Sequence, residues 1–225
     1  MPTLQFLVDG IERSVSINAL VIAGWTGRDK EALEHHIAEL AEIGVKRPRT
    51  TPCFYRVGSN LLTTAKAIEV AGSDSSGEVE FVLVSQEDGL YVGVGADHTD
   101  RKVEAYGVTV SKQVCPKPIS RELWRLSDVQ GHWDELILRS WVSNNGTRRL
   151  YQEGSVRSML APLDLIRLFT GGAPILPVGT AMYCGTLAVI GKISGGDVFE
   201  GELYDPRQKR TIHHTYSVRS LNMVD

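Results

Sequence analysis

The sequence predicts a β-rich single domain with a few helices, and three observations carry that expectation. Short runs of β-branched and aromatic residues recur along the 225 residues, separated by clusters of Gly, Asp, Asn and Ser. Helical periodicity is confined to a few segments, the longest near residue 30. No internal repeat, low-complexity segment or linker divides the chain, whose length suits one domain with a sizeable core, residues 1–225, with 1–20 as an appended N-terminal hairpin.

In order, Leu4–Val8 and Arg13–Ile17 flank Asp9-Gly10, a two-residue hairpin signal. Leu20–Ala23 leads into Gly24-Trp25-Thr26-Gly27. Asp29 can cap a helix over Lys30–Gly44, where Leu33, Ile37, Leu40, Ala41 and Ile43 form an apolar stripe and Gly44 is the stop. Pro48 and Pro52 bracket a loop before the strand Cys53–Val57. Ribbons follow: Glu78–Ser85, a turn at Gln86-Glu87-Asp88-Gly89, Leu90–Gly95, and Ala105–Ser111. A short polar helix is expected from Ser120, and a strand over Glu135–Val142 ends at Asn144-Asn145-Gly146. Pro162–Thr170 reads as a helix stopped by Gly171-Gly172, and Gly179–Ile190, Phe199–Tyr204 and Thr211–Val218 as strands.

Composition narrows the function classes. A net charge of −3 gives no electrostatic footprint for nucleic acid or anionic membrane. No apolar run approaches the ~20 residues needed to span a bilayer, and the opening Met-Pro-Thr-Leu-Gln lacks the basic-then-apolar order of a secretory signal. Cys53, Cys115 and Cys184 are odd in number and far apart, which favours a reducing cytoplasm over a disulfide framework or a zinc ribbon.

Chemistry concentrates at Gly77-Glu78-Val79-Glu80-Phe81-Val82-Leu83-Val84. In a strand Glu78 and Glu80 share a face, with Cα atoms roughly 6.5–7 Å apart. Like charges 4 Å apart repel by about 4 kcal/mol at an effective dielectric of 20, so a shared proton or a cation must offset them. Mg²⁺, Mn²⁺ or Ca²⁺ suits an all-oxygen site; the same spacing also occurs on the solvent face of edge strands. A tight turn at Gln86–Gly89 would return Asp97 of Ala96-Asp97-His98-Thr99-Asp100-Arg101 beside the two glutamates as a third oxygen ligand. The alternative for that segment is a capped polar turn.

Other candidates stand apart from the carboxylates in sequence. On the first helix His36 and Glu39 lie at i, i+3 and His35 and Glu39 at i, i+4, the wiring of a general base held by a carboxylate, or of solvated neighbours. Lys112, after the expected strand to Ser111, can bind an anionic group or snorkel to water. Thr186 can hydrogen-bond a carboxylate or satisfy backbone. Trp124 and Trp133 read as core.

From Val21 to the C-terminus, the order of these motifs resembles the fumarylacetoacetate hydrolase superfamily, and more closely a short bacterial branch of it defined by an uncharacterised domain, DUF2848. Gly27-Arg28-Asp29 and His36-Ile37-Ala38-Glu39 resemble the family's Gly/Arg/Asn segment and His-x-x-Glu, with the histidine a few residues further on than usual, so that His35 and His36 both stand as candidates. Glu78-Val79-Glu80 resembles its Glu-x-Glu metal pair, and Asp97-His98-Thr99-Asp100-Arg101 its Asp-x-Ser/Thr-x-Arg segment, joined here by a bare hairpin instead of a helical insertion. Lys112 before Cys115-Pro116 resembles the family lysine upstream of Cys-Pro, at compressed spacing. Tyr151-Gln152-Glu153-Gly154 through Ser158-Met159 resembles the Arg-Gln-x-Gly-x-Thr-Ser-x-Met segment, with Val156 and Arg157 at the Thr-Ser positions. Gly185-Thr186-Leu187 resembles Gly-Thr-Pro, and Gly195-Gly196-Asp197-Val198 the final Gly-Asp turn.

The resemblance implies a mixed β-roll with a helical lid carrying His36 and Glu39, and a homodimer. It implies a divalent cation, Mg²⁺ or Mn²⁺, on Glu78, Glu80 and Asp97. The activity implied is hydrolytic C–C cleavage of a small oxo-acid of the acylpyruvate or β-diketo type, with decarboxylation, tautomerisation or hydration at the same site as alternatives and a non-catalytic small-acid binding module as a further one. His36, Glu39 and Lys112 are the expected catalytic residues, and Arg56, Arg101, Gln152 and Thr186 the expected substrate contacts, Arg101 being equally a salt-bridge partner within the carboxylate shell.

Overall fold

Apolar residues on both sides of a pleated strand need cover on both faces, and two main sheets supply it. The computed structural model describes residues 1–31, 33–34, 37–38 and 47–224. The strands are β1 (Thr3–Val8), β2 (Ile11–Ser16), β3 (Ala19–Gly24), β4 (Cys53–Val57), β5 (Leu62–Thr63), β6 (Ala67–Ala71), β7 (Ser75–Ser76), β8 (Val79–Gln86), β9 (Gly89–Ala96), β10 (Thr99–Asp100), β11 (Lys117–Pro118), β12 (Glu122–Arg125), β13 (Ile137–Asn144), β14 (Thr147–Ser155), β15 (Thr180–Thr186), β16 (Val198–Asp205) and β17 (Arg210–Leu221). Residues 30–31, 33–34 and 37–38 are helical, and the other α-helices among the described residues are α1 (Arg101–Glu104), α2 (Val108–Gln113), α3 (Leu126–Val129) and α4 (Pro162–Thr170). A mixed eight-stranded sheet runs β2-β1-β12-β9-β8-β15-β3-β4, and a five-stranded sheet runs β14-β13-β16-β17-β6.

Strand β8 is the centre of this arrangement because both of its faces are buried. Phe81 and Leu83 face the five-stranded sheet and pack in one core with Leu138, Val142, Phe199, Leu203 and Ile212. Val82 and Val84 face the other way, into a second core inside the curl of the large sheet with Ile17, Leu20, Ile22, Tyr91, Ile119 and Tyr183. Strand alternation puts Glu80 on the face of Val82 and Val84, so the carboxylate enters an interior.

Turn chemistry sets the registers. Asp9 and Gly10 take φ of 52° and 75°, as a two-residue hairpin turn requires, and Val8 pairs with Ile11. The hairpin β1–β2 extends the large sheet through a parallel pairing of β1 with β12. Glu87-Asp88 turns β8 into β9, with Gln86 opposite Gly89 and Val79 opposite Ala96. At the open end of that ribbon the Asp97 N–H donates to the Glu78 carbonyl at 2.9 Å. Helix α4 begins at Pro162 and ends at Gly171 in the left-handed region, as its sequence predicts.

Three segments differ from the sequence reading. Ala105–Ser111 was expected to be a strand, but Val108–Gln113 is helical: buried Ser111 and Lys112 share its inner side, which outweighs the β propensity of Val108-Thr109-Val110. The helix expected from Ser120 is instead strand β12, because Leu123 and Trp124 are buried in the two opposite cores, which only an extended backbone allows. The strand expected over Gly179–Ile190 ends at Thr186, and β14 is a strand where no pattern announced one. Of the predicted helix over residues 30–44, residues 32, 35–36 and 39–44 lie outside the described residues. Among the described residues no helix is long and apolar enough to cross a membrane.

Phe81 has no exposed surface and meets Trp133 edge to face at 4.8 Å between ring centroids. Phe81→Ala is expected to lower the unfolding free energy by about 3–5 kcal/mol through loss of burial and the cavity left behind, as measured by urea denaturation.

Candidate metal centre

The end of the β8–β9 ribbon gathers three carboxylates. Oxygens of Glu78, Glu80 and Asp97 lie within 4.8 Å of one another. Asp97 is fully buried, Glu80 nearly so, and the Glu78 side chain is 19% exposed, so the group is reached from the side of Glu78. Two surface clefts, one lined by Arg28, Trp133 and Leu163 and the other by Asn60, Ile68 and Pro116, contain none of the three.

Three cations surround the carboxylates. Lys112, on the last turn of α2, places Nζ against Asp97 Oδ2, 3.3 Å from Thr99 Oγ1 and 4.0 Å from Glu78 Oε2. Arg101 pairs with Glu78 at 3.1 Å and Glu104 at 3.1 Å, and its Nε donates to Ser76 Oγ at 2.7 Å. Lys117, between Pro116 and Pro118, has no exposed surface and stands 3.4 Å from Asp97 Oδ1. Asp100 accepts from the Lys102 and Val103 N–H groups, which caps α1 and fixes where Arg101 begins.

The carboxylates divide between two electrostatic environments. Burial by itself would raise the Asp97 carboxyl, but Lys112 and Lys117 hold it below the usual carboxylate range. Burial and the charge of Asp97 push Glu80 well above that range, with Lys112 opposing them. Lys112 is driven the other way from its burial: Asp97 and Glu78 raise it. Next to Asp97, the buried His98 bonds Ser75 Oγ through Nδ1 at 3.0 Å and Tyr216 through Nε2 at 2.7 Å. Burial brings His98 down to about 3, so a neutral imidazole ties this loop to β17.

Second-strand contacts set the two glutamates in place. The Gly185 N–H donates to Glu80 Oε2 at 2.6 Å. It can do so because the β15–β8 register shifts between Tyr183 and Thr186, a bulge that puts Gly185 at φ +97°. A Cβ there would collide with the Thr26 hydroxyl, which itself donates to the Cys184 carbonyl. Thr186 Oγ1 donates to the Val79 carbonyl at 2.7 Å. Gln152 Oε1 accepts from the Val79 N–H and the Ser140 hydroxyl, each at 2.9 Å, while Nε2 donates to Thr186 Oγ1 and the Leu187 carbonyl.

Gln152 and Thr186 therefore clamp the Val79 peptide between the two glutamates. With both acceptor and both donor positions of its amide used, Gln152 has none left for the substrate contact expected of it, and the Thr186 hydroxyl is likewise engaged with protein. Arg101 takes the salt-bridge alternative, on Glu78. Arg56 is exposed on the edge strand β4, on the face opposite Tyr55, whose ring is 5.9 Å from Lys112 Nζ; the fold does not bring Arg56 to the carboxylates. His35, His36 and Glu39 lie outside the described residues. Lys117 is not among the expected site residues, and Gly185 enters the sequence reading only within the Gly-Thr segment. A lone lysine between two prolines carries no pattern, and Gly185 was hidden behind the more conspicuous Thr186.

The donor set fits a hard divalent cation: all oxygen, with the Glu80 carboxylate held by the neighbouring strand β15 and Glu78 by Arg101. Asp97 Oδ1 is buried without a hydrogen bond, although Lys117 lies 3.4 Å away.

The sequence profile of a family described as "Protein of unknown function (DUF2848)" matches residues 23–216. No curated protein matches the chain. Among solved structures it is similar to a candidate fumarylpyruvate hydrolase from Burkholderia cenocepacia, at TM-score 0.67 and 17% identity over 98% of this chain and 96% of that one. It is similar to 2-keto-3-deoxyarabinonate dehydratase at TM-score 0.64 and 15% identity over 94% of this chain and 76% of that one. A 2-hydroxyhepta-2,4-diene-1,7-dioate isomerase from Mycobacterium marinum matches at TM-score 0.61 and 16% identity, covering 93% and 78%. At these identities the likeness is one of fold, and the fold is the fumarylacetoacetate hydrolase type.

Gln152→Leu preserves volume but strands several buried polar partners. It is expected to destabilise the protein by roughly 2–4 kcal/mol in urea melts. In the same variant, freeing the Val79 peptide is expected to weaken Mn²⁺ binding measured by electron paramagnetic resonance.

Proposed function

The chain belongs to the DUF2848 family, and on that premise we propose that it is a divalent-cation-dependent hydrolase cleaving a C–C bond in a small oxo-acid of the acylpyruvate or β-diketo type. The observation that carries the reading is the meeting of Glu78, Glu80 and Asp97 oxygens within 4.8 Å. Glu78, Glu80 and Asp97 would hold Mg²⁺ or Mn²⁺, with Ca²⁺ a further oxygen-liking ion, and the cation when bound supplies Lewis acidity for developing oxyanion charge.

The remaining chemistry belongs to the chain. The Lys112 ammonium, next to the carboxylates and beside the Tyr55 ring, is placed to meet an anionic group of the substrate. Arg101 keeps Glu78 turned toward the site through Ser76 and Glu104. Gln152 and Thr186 fix the Val79 peptide, and with it the angle between the two glutamates. In this reading His36, or His35 beside it, takes a proton from the attacking water while Glu39 orients the imidazole. The names of the structural relatives support a small oxo-acid substrate. Three unpaired thiols, Cys53, Cys115 and Cys184, fit the reducing cytoplasm, and a homodimer completes the proposal, to be read by light scattering.

A second reaction at the same centre is favoured by the neighbours themselves. A dehydratase and an isomerase share the fold at TM-scores of 0.64 and 0.61, against 0.67 for the candidate hydrolase. Tautomerisation, hydration or decarboxylation of a related oxo-acid is the corresponding alternative.

Oxo-acids assayed with Mg²⁺ or Mn²⁺, by loss of the enol ultraviolet absorbance and product analysis, separate these readings. Two cleavage products support the hydrolase and carbon dioxide the decarboxylase; an isomer or hydrate supports the second reading, and binding without turnover a non-catalytic module. Glu80→Ala is expected to lose both retained metal and turnover. His36→Ala is expected to keep the metal and lose ~10²-fold or more in kcat. A fully active Glu80→Ala would end the proposal.

A further inference from the structure

Among the described cations at the centre, Lys117 is the most fully enclosed. Its Nζ donates to three backbone carbonyls, those of His98 at 2.7 Å, Lys112 at 2.5 Å and Cys115 at 2.9 Å, and it stands 3.4 Å from Asp97 Oδ1. All four neighbours are acceptors. An ammonium matches its three protons to the three carbonyls, whereas a neutral amine would aim a lone pair at one of them. The flanking Pro116 and Pro118 limit the backbone, and β11 is paired with β5. Lys112 differs in kind: its head group meets Asp97, Thr99, the edge of Glu78 and the Tyr55 ring, with no backbone carbonyl among these partners, and its side chain retains 8% exposure.

Before any metal arrives, Arg101, Lys112 and Lys117 already pair with Glu78, Asp97 and Glu104. A divalent ion therefore enters a site already compensated. Lys112 keeps a little exposure and Arg101 has Glu104 to share, whereas Lys117, though burial lowers it against the pull of Asp97, is tied to three carbonyls. We propose that Lys117 is a positioning residue that holds Asp97 from behind as a fixed counter-charge, keeping the site weak for a bare divalent cation. The ion is then retained firmly only together with an anionic chelating ligand, which restores the charge balance. This rests on the reading of Glu78, Glu80 and Asp97 as the cation site. It concerns how tightly that site holds its ion, whatever reaction follows.

The test is Mn²⁺ binding to the purified full chain, followed by electron paramagnetic resonance with and without oxalate as the chelating dianion, in the wild type and in Lys117→Met. Methionine keeps the length of the side chain and removes the charge. In folded Lys117→Met, as judged by circular dichroism, the affinity for Mn²⁺ alone is expected to rise by at least about tenfold, since a unit charge this close acts strongly on a divalent ion. The oxalate-induced tightening is expected to be smaller than in the wild type. Unchanged or weaker Mn²⁺ binding by the folded variant overturns the inference, because a purely structural lysine would lose affinity when removed.

Should the variant not fold, the wild type decides. The ¹⁵N signal of the Lys117 head group is expected to be that of a protected ammonium both before and after Mg²⁺ saturation; its absence, or its loss on saturation, overturns the fixed charge. If neither protein binds Mn²⁺ under any condition, the cation reading itself falls. Ordinary wild-type binding with no gain in Lys117→Met removes only the role given to Lys117.

Discussion

Three carboxylates in a protein interior impose the constraint around which this structure is organised. Each loses hydration on burial, and each raises the cost of ionising the others. The chain answers with side chains from separate parts of the sequence. Lys112 comes from α2, Lys117 from β11 and Arg101 from the start of α1, while the Gly185 N–H comes from β15. The unequal result, Asp97 held ionised and Glu80 pushed toward its neutral form, follows from which cations reach which oxygen.

The fold holds that concentration of charge because the surrounding strands are buried on both faces. Phe81 and Leu83 anchor β8 to the five-stranded sheet, and Val82 and Val84 anchor it within the curl of the large one. Strand β8 therefore has little freedom to relax when charges at its end repel. Gln152 carries this rigidity to the site itself, joining β14 to the peptide of Val79 and to Thr186 of β15. His98 does the same from the other side through Tyr216 of β17.

The relation to the fumarylacetoacetate hydrolase fold gains physical content from these contacts. Relatives that share the fold carry names of hydrolase, dehydratase and isomerase activity, so the scaffold alone does not select a reaction. In this chain the site is set by a bare two-residue turn between β8 and β9 and by a second buried lysine behind Asp97. The first shortens the path between Glu80 and Asp97, and the second alters the charge that any cation meets on arrival.

Local sequence determined what depends on neighbours in the chain. Asp9-Gly10, the turn at Glu87-Asp88 and the Pro162-to-Gly171 helix are visible because backbone dihedrals and short hydrogen bonds are set by adjacent residues. The meeting of Glu78, Glu80 and Asp97 was legible for the same reason: strand alternation and one tight hairpin suffice to bring them together. Tertiary structure alone decided the rest. Val108–Gln113 became a helix and Glu122–Arg125 a strand because burial on particular sides outweighed propensity. Gln152 and Thr186 turned out to hold backbone, Arg56 to lie away from the carboxylates, and Lys117 to stand behind Asp97. Those positions depend on strands remote in sequence, and side-chain type carries no record of the distance at which a charge will find its partner.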